Sequence, residues 1–139
     1  MGDYVVGYDG SACAKEALRV AEGLAAAAGV GLVVVFGFEP PAMRAGGPVG
    51  YQKDAIEAIG RERLAEAESA LEGSSVPVEV LALPELPADA LIDVAQERGA
   101  AMIVIGTRWE TPLMGAILGS TAYKLLHRSP IPVVVVPAD

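Results

Sequence analysis

One cysteine and one histidine in 139 residues leave this chain with little soft or imidazole chemistry. A lone Cys13 permits no internal disulfide and no multi-thiolate metal site, and His127 cannot build a histidine metal site alone. His127 does not complete a serine triad either, because it falls late in a predicted helix, about a helix length from the nearest glycine-rich loop. Positive charge is also scarce. Ten Lys and Arg against 18 Asp and Glu give a net charge of -8 with no basic cluster, which argues against unaided binding to nucleic acid or to an anionic membrane. The uncharged stretch from Gly23 to Phe38 is 16 residues long and broken by Gly29 and Gly31, whereas a bilayer span needs ~20. No Gly-Lys pair occurs, so the lysine of a Walker phosphate loop is missing. No basic-plus-apolar leader precedes Tyr4-Val5-Val6, and a cytoplasmic location is expected.

What the chain does have is alternation. Apolar runs and helical patterns take turns throughout, predicting a single α/β domain over 1–139: a doubly wound parallel sheet of five strands and four helices. The strands are expected at Tyr4 to Tyr8, Gly31 to Phe38, Val76 to Leu83, Ala101 to Ile105 and Pro132 to Pro137. Pro77 suggests an edge position for the third. The first helix carries Ala14, Ala17, Leu18, Ala21, Leu24, Ala25 and Ala28 at helical spacing, capped by Ser11 and stopped by Gly29. A long helix over 53–72 places Ile56, Ile59, Leu64, Ala67 and Leu71 on one face, and Pro87 to Arg98 forms the third, stopped by Gly99. A fourth follows the glycine loop, with Ala122, Leu125 and Leu126. Glu39 to Gln52 holds three prolines and three glycines and reads as a long connection, a flap candidate.

Two segments carry the chemistry. Asp9-Gly10-Ser11 ends the first strand, where ligands bind in doubly wound sheets, although a turn and helix cap would account for the same residues. The run from Met102 to Thr121 leads from a buried strand, through a loop with Gly106, Gly115 and Gly119, to a helix that starts with Ser120 and Thr121. Backbone N–H groups at a helix start lack intrahelical partners, and glycines let the main chain approach a phosphate closely. An anion site follows from that pattern. Without a lysine it would rest on backbone donors, the Ser120 hydroxyl and Mg2+. Trp109 inserts an indole into the same loop.

The whole chain resembles the universal stress protein family. The likeness is carried by Val5-Val6-Gly7-Tyr8-Asp9-Gly10-Ser11, by Ala88-Asp89-Ala90-Leu91-Ile92 leading to Gly99-Ala-Ala-Met-Ile-Val-Ile-Gly106, and by Leu118-Gly119-Ser120 continuing to Pro130-Ile-Pro-Val-Val-Val-Val-Pro137. The resemblance implies an adenine nucleotide alpha hydrolase-like, Rossmann-like sheet of order 3-2-1-4-5, a homodimer through the last strand (Val133, Val134, Val135, Val136), and, in one branch, an ATP or AMP site. That branch carries Gly, two residues, Gly, nine residues, Gly, then Ser or Thr. Here Gly106, Gly119 and Ser120 keep the spacing and Trp109 takes the second glycine's place. By the same resemblance Asp9 and the backbone near Gly37 would hold the adenine and ribose, Ile105 and Gly106 the middle, and Gly119, Ser120 and Thr121 the phosphates. A second branch binds no nucleotide. The expected role is therefore a non-enzymatic, dimeric stress-response module that senses adenine nucleotide and signals to a protein partner; the alternative is a nucleotide-free scaffold whose site Trp109 disables.

Two rivals share the architecture. A response-regulator receiver needs a phosphate-accepting Asp after the third strand and a Lys after the fifth, where this chain has Leu83-Pro84 and Pro137. A flavodoxin-like carrier needs hydroxyl donors after the first strand and aromatics to sandwich a flavin, and both are scarce.

Overall fold

The computed structural model describes residues 2–39, 49–108 and 119–138. Nine elements alternate along it: β1 (Tyr4–Gly7), α1 (Ala12–Ala28), β2 (Leu32–Gly37), α2 (Val49–Ala70), β3 (Val78–Leu83), α3 (Pro87–Arg98), β4 (Met102–Arg108), α4 (Ser120–Arg128) and β5 (Val133–Ala138). The strands form one sheet in the order β3-β2-β1-β4-β5, all pairs parallel, as the alternation and the resemblance implied. β3 and β5 are its edges, and Pro77 stands just before the first of them.

Parallel strands covered on both faces read as continuous apolar sequence, and β1 and β2 do so because each face has its own helical layer. On one face Val6, Val34 and Val104 pack with Leu18 and Ala21 of α1 and Leu64 and Ala67 of α2. On the other, Val5, Val33 and Ile103 pack with Leu91 and Val94 of α3 and Leu125 of α4. Local signals set the helix ends. Ser11 caps α1 by accepting the Ala14 N–H over 3.2 Å, and Gly29 closes it in the left-handed region at φ 72°. α3 opens with Pro87 and stops at Gly99, φ 62°.

Several expectations need correction. α2 begins at Val49, four residues before 53, and β4 runs to Arg108, three beyond Ile105. β4 continues because β5 keeps pairing with it, Thr107 with Pro137 and Arg108 with Ala138, so ladder hydrogen bonds outweigh the glycine at 106. Leu24, Ile59 and Leu126 are exposed, as is Ala28. On α2 the inward position is Gly60, where a Cβ would collide with the Phe36 ring, so the buried stripe passes through 60, 64, 67 and 71 and leaves Ile59 outside. No helix among the described residues is long and apolar enough to cross a membrane.

Candidate functional site

The strand order reverses between β1 and β4, whose following connections lead to helices on opposite faces of the sheet, and a crevice opens at their carboxyl ends. It holds a cleft of about 110 Å3 with Val35, Leu91 and Ile105 as its apolar floor. Tyr8, Asp9, Ser11 and Cys13 line one side, Gly37 and Pro87 another, and Gly106 and Thr121 complete it. This volume is short of the roughly 300 Å3 at which pockets for drug-sized ligands begin, so a larger ligand would be only partly enclosed by the described walls.

Of the residues singled out in the sequence, Asp9, Gly37, Ile105, Gly106 and Thr121 meet in this cleft. Gly119 and Ser120 are exposed at the start of α4 and do not line it, although the adjoining Thr121 does. Trp109, Gly115 and residues 40–48 of the expected flap 39–52 lie outside the described residues, and the last four residues of that flap belong to α2 instead. Tyr8, Cys13, Val35, Pro87 and Leu91 were missed as site residues. Val35 could have been found by its period-two relation to Gly37 along β2, whereas Pro87 and Leu91 arrive only through the packing of α3.

The turn after β1 is both a cap and a wall. Asp9 Oδ1 accepts the Ser11 N–H over 2.9 Å, Gly10 takes φ 84°, and Ser11 Oγ caps α1 while lying 3.3 Å from Cys13 Sγ. The structural role expected as the alternative is therefore real, and it places Asp9 at the cleft. The two glycines beyond β4 differ in cause. A Cβ on Gly106 would strike the Cys13 carbonyl, with Ala14 N 3.0 Å away, so glycine is needed there for α1 to sit on β4. At Gly119, φ is -55° and no described atom lies within 4 Å of such a Cβ, so the fold makes no comparable demand. Gly119 occupies the N-cap of α4 without a side-chain cap, leaving the first N–H groups of that helix without a side-chain acceptor among the described residues. Gly37 resembles Gly106: a Cβ would stand 2.8 Å from Pro87 Cα and 2.9 Å from the Glu85 carbonyl.

Electrostatically Asp9 is the single charged side chain of the cleft wall among the described residues. Burial, then the charges of Glu66 and Asp9, push the Tyr8 hydroxyl above its ordinary pKa, with Arg63 opposing them. Thr107 is buried on β4, and its hydroxyl finds no partner among the described residues. His127 packs against Tyr123 one turn earlier in α4, ring centroids 4.3 Å apart and planes tilted by 48°. No group of three His, Cys, Asp or Glu among the described residues has the geometry to hold a metal.

Behind Pro87, the neighbouring Asp93 carboxyl raises the Glu85 carboxyl above its ordinary pKa, aided by partial burial and by the charge of Asp89, while Glu85 Oε2 is buried without a hydrogen-bond partner among the described residues. A raised folded-state pKa means that the folded chain binds this proton more tightly. The associated stability is complete below the ordinary carboxylate pKa and is lost as pH rises through the raised one. Glu85→Gln, which cannot ionise, should therefore stabilise the protein at about pH 7 by no more than ~0.5 kcal/mol after solvent screening, and by nothing at about pH 3, more than a unit below the ordinary carboxylate pKa, where the carboxyl is protonated in either state. Urea titrations at the two pH values check this; an equal effect at both would show that Glu85 is not charged at neutral pH.

Comparison with known proteins agrees with this architecture. The model of the universal stress protein family matches residues 3–137. A universal stress protein of Thermus aquaticus is 35% identical over 137 residues, covering 95% of this chain and 96% of the relative. The solved structure of a universal stress protein from Archaeoglobus fulgidus superposes with a TM-score of 0.79 at 32% identity, covering 98% of both chains. A structure of the universal stress protein from the same organism in complex with dAMP gives 0.72 at 27% identity, again over 98% of both. With the match to the family model running from the second residue of the described fold almost to its end, the chain belongs to the universal stress protein family.

Proposed function

We propose that this protein is a cytoplasmic, dimeric stress-response module that holds an adenine nucleotide, ATP or AMP, in the cleft between β1 and β4. It acts as a sensor or switch toward a protein partner, not as a catalyst. The observation that carries this reading is the convergence of Asp9, Gly37, Ile105, Gly106 and Thr121 on one cleft beside the uncapped start of α4. Apolar residues there suit a base, Asp9 suits a sugar hydroxyl, and free N–H groups suit phosphate. The relative bound to dAMP supports the same ligand class. Mg2+ would be held mainly by phosphate oxygens and water with the Ser120 hydroxyl or one carboxylate, as that ion generally is.

Mass spectrometry of small molecules released from freshly purified protein, followed by calorimetry with AMP, ADP and ATP, tests the proposal. Saturable binding of at least one is expected. No binding at millimolar nucleotide would leave the nucleotide-free scaffold, the reading favoured by Trp109 in the place of a motif glycine.

Turnover of Mg-ATP should stay far below the ~1 per second of an ordinary enzyme, because the cleft lining contains no lysine and no histidine among the described residues. Phosphate release at or above that rate, abolished by Glu110→Gln at the one acidic residue between Gly106 and Gly119, would place the protein among the ATPases instead.

A further inference from the structure

Arg63 reaches from α2 onto the turn that carries Asp9. A Cβ built on Gly10 would stand 2.7 Å from Arg63 Cδ and 3.3 Å from Nε, so the arginine stem lies against the peptide next to Asp9. Its NH1 donates to Glu66 Oε1 over 2.8 Å, and the two side chains are 41% and 40% exposed. Such a pair is weakly held and exchanges partners at little cost. Tyr8, which lines the cleft, senses the charges of Asp9, Glu66 and Arg63 together.

The hydrogen-bonding inventory at this end of the cleft is lopsided. Asp9 is an acceptor with Oδ1 already given to the Ser11 N–H, so Oδ2 remains. Ser11 Oγ is taken up by the Ala14 N–H and the Cys13 thiol. An arginine offers donors only. The free Asp9 Oδ2 and the Arg63 Nε beside the adjoining Gly10, just outside the described lining of the cleft, match a group that donates with one atom and accepts with its neighbour. A vicinal diol does that, since each hydroxyl can do both; a phosphate would face the Asp9 charge.

Resting on the nucleotide reading above, we infer that Arg63 is a ligand-contacting residue of this cleft, which leaves Glu66 on binding and recognises the ribose diol together with Asp9. It thereby fixes which end of a nucleotide lies at β1 and sends the phosphates toward α4. This assigns a specificity role to a side chain outside the glycine motif and on a different helix.

The test measures affinities of AMP, 2′-deoxy-AMP and 3′-deoxy-AMP for the intact protein and two variants by calorimetry. Arg63→Met keeps an apolar stem over Gly10 and removes the donors. It should weaken AMP about fivefold to tenfold, the size of one lost charged hydrogen bond at a half-exposed site, while changing at least one deoxy ligand less than about twofold. Glu66→Gln releases Arg63 and should tighten AMP by about two- to threefold. Equal losses for all three ligands in Arg63→Met would reduce Arg63 to a prop for the turn, and unchanged AMP affinity would overturn the inference outright. Weaker AMP binding in Glu66→Gln would show that the ion pair is not a competitor of the ligand. If the wild-type chain binds none of the three at millimolar concentration, the nucleotide reading fails and this inference with it; binding by wild type without selectivity for the diol defeats only the inference.

Discussion

Val135→Pro is expected to raise the dissociation constant of the proposed dimer by about 30- to 150-fold, with the protomer still folded. The choice of residue follows from the direction of main-chain groups along β5. Ile103 N–H donates to the Pro132 carbonyl over 2.9 Å, so residue 132 turns its polar groups to β4, as 134 and 136 then do in a regular strand. Residues 133 and 135 turn theirs to the free edge, which another strand can pair with. Pro137 already stands in the outward phase, where a missing donor costs the ladder nothing. In a two-fold dimer Val135→Pro removes one inter-chain donor from each copy. At about 1 to 1.5 kcal/mol per hydrogen bond, that is roughly 2 to 3 kcal/mol, which sets that range. Val134→Pro would instead break the ladder to β4 and unfold an edge of the sheet, confusing association with stability. Sedimentation equilibrium with circular dichroism on Val135→Pro decides the matter: an intact dimer of unchanged affinity would move the interface away from β5.

That distinction illustrates how far the amino-acid sequence alone reaches. The valine run and its flanking prolines mark β5 as a strand, and the resemblance places it at an edge, but which valines present their donors outward depends on register against β4. The same holds for the helices. Ser11, Gly29, Pro87 and Gly99 mark four helix ends correctly because capping and left-handed glycine are local physics. Ile59 misleads because an apolar side chain at helical spacing resembles a buried one, and only the Phe36 ring shows that α2 approaches the sheet through Gly60. At the cleft, Asp9 and Gly106 are legible because turns and glycines announce themselves. Leu91 and Pro87 are not, since α3 brings them in from a distant part of the chain.

Gly119→Val should abolish nucleotide binding while leaving the protein folded, and Gly106→Ala should do the reverse of what a shared motif suggests. Both glycines would be explained by phosphate approach, but their surroundings separate them. A methyl group on Gly106 would strike the Cys13 carbonyl and crowd Ala14 N at 3.0 Å; these are main-chain atoms of the first turn of α1, so helix and strand must part. A loss of about 1 to 3 kcal/mol is expected, as for other overpacked core positions. Gly119 has open space on every described side and an ordinary φ of -55°. Valine there costs about 1 kcal/mol as a poorer N-cap, yet places a branched side chain over the free N–H groups a phosphate would use. Thermal melts should therefore mark Gly106→Ala as the damaged fold. Calorimetry with AMP and ATP should mark Gly119→Val as the damaged site, with affinity down by at least about a hundredfold if two backbone hydrogen bonds to phosphate are lost. Trp109→Gly, which restores the missing motif glycine, should tighten ATP more than AMP, because the longer phosphate chain has more need of the loop. If Gly119→Val binds nucleotide as well as the native chain, the phosphates do not lie at α4, and the cleft between β1 and β4 must hold its ligand in the opposite direction.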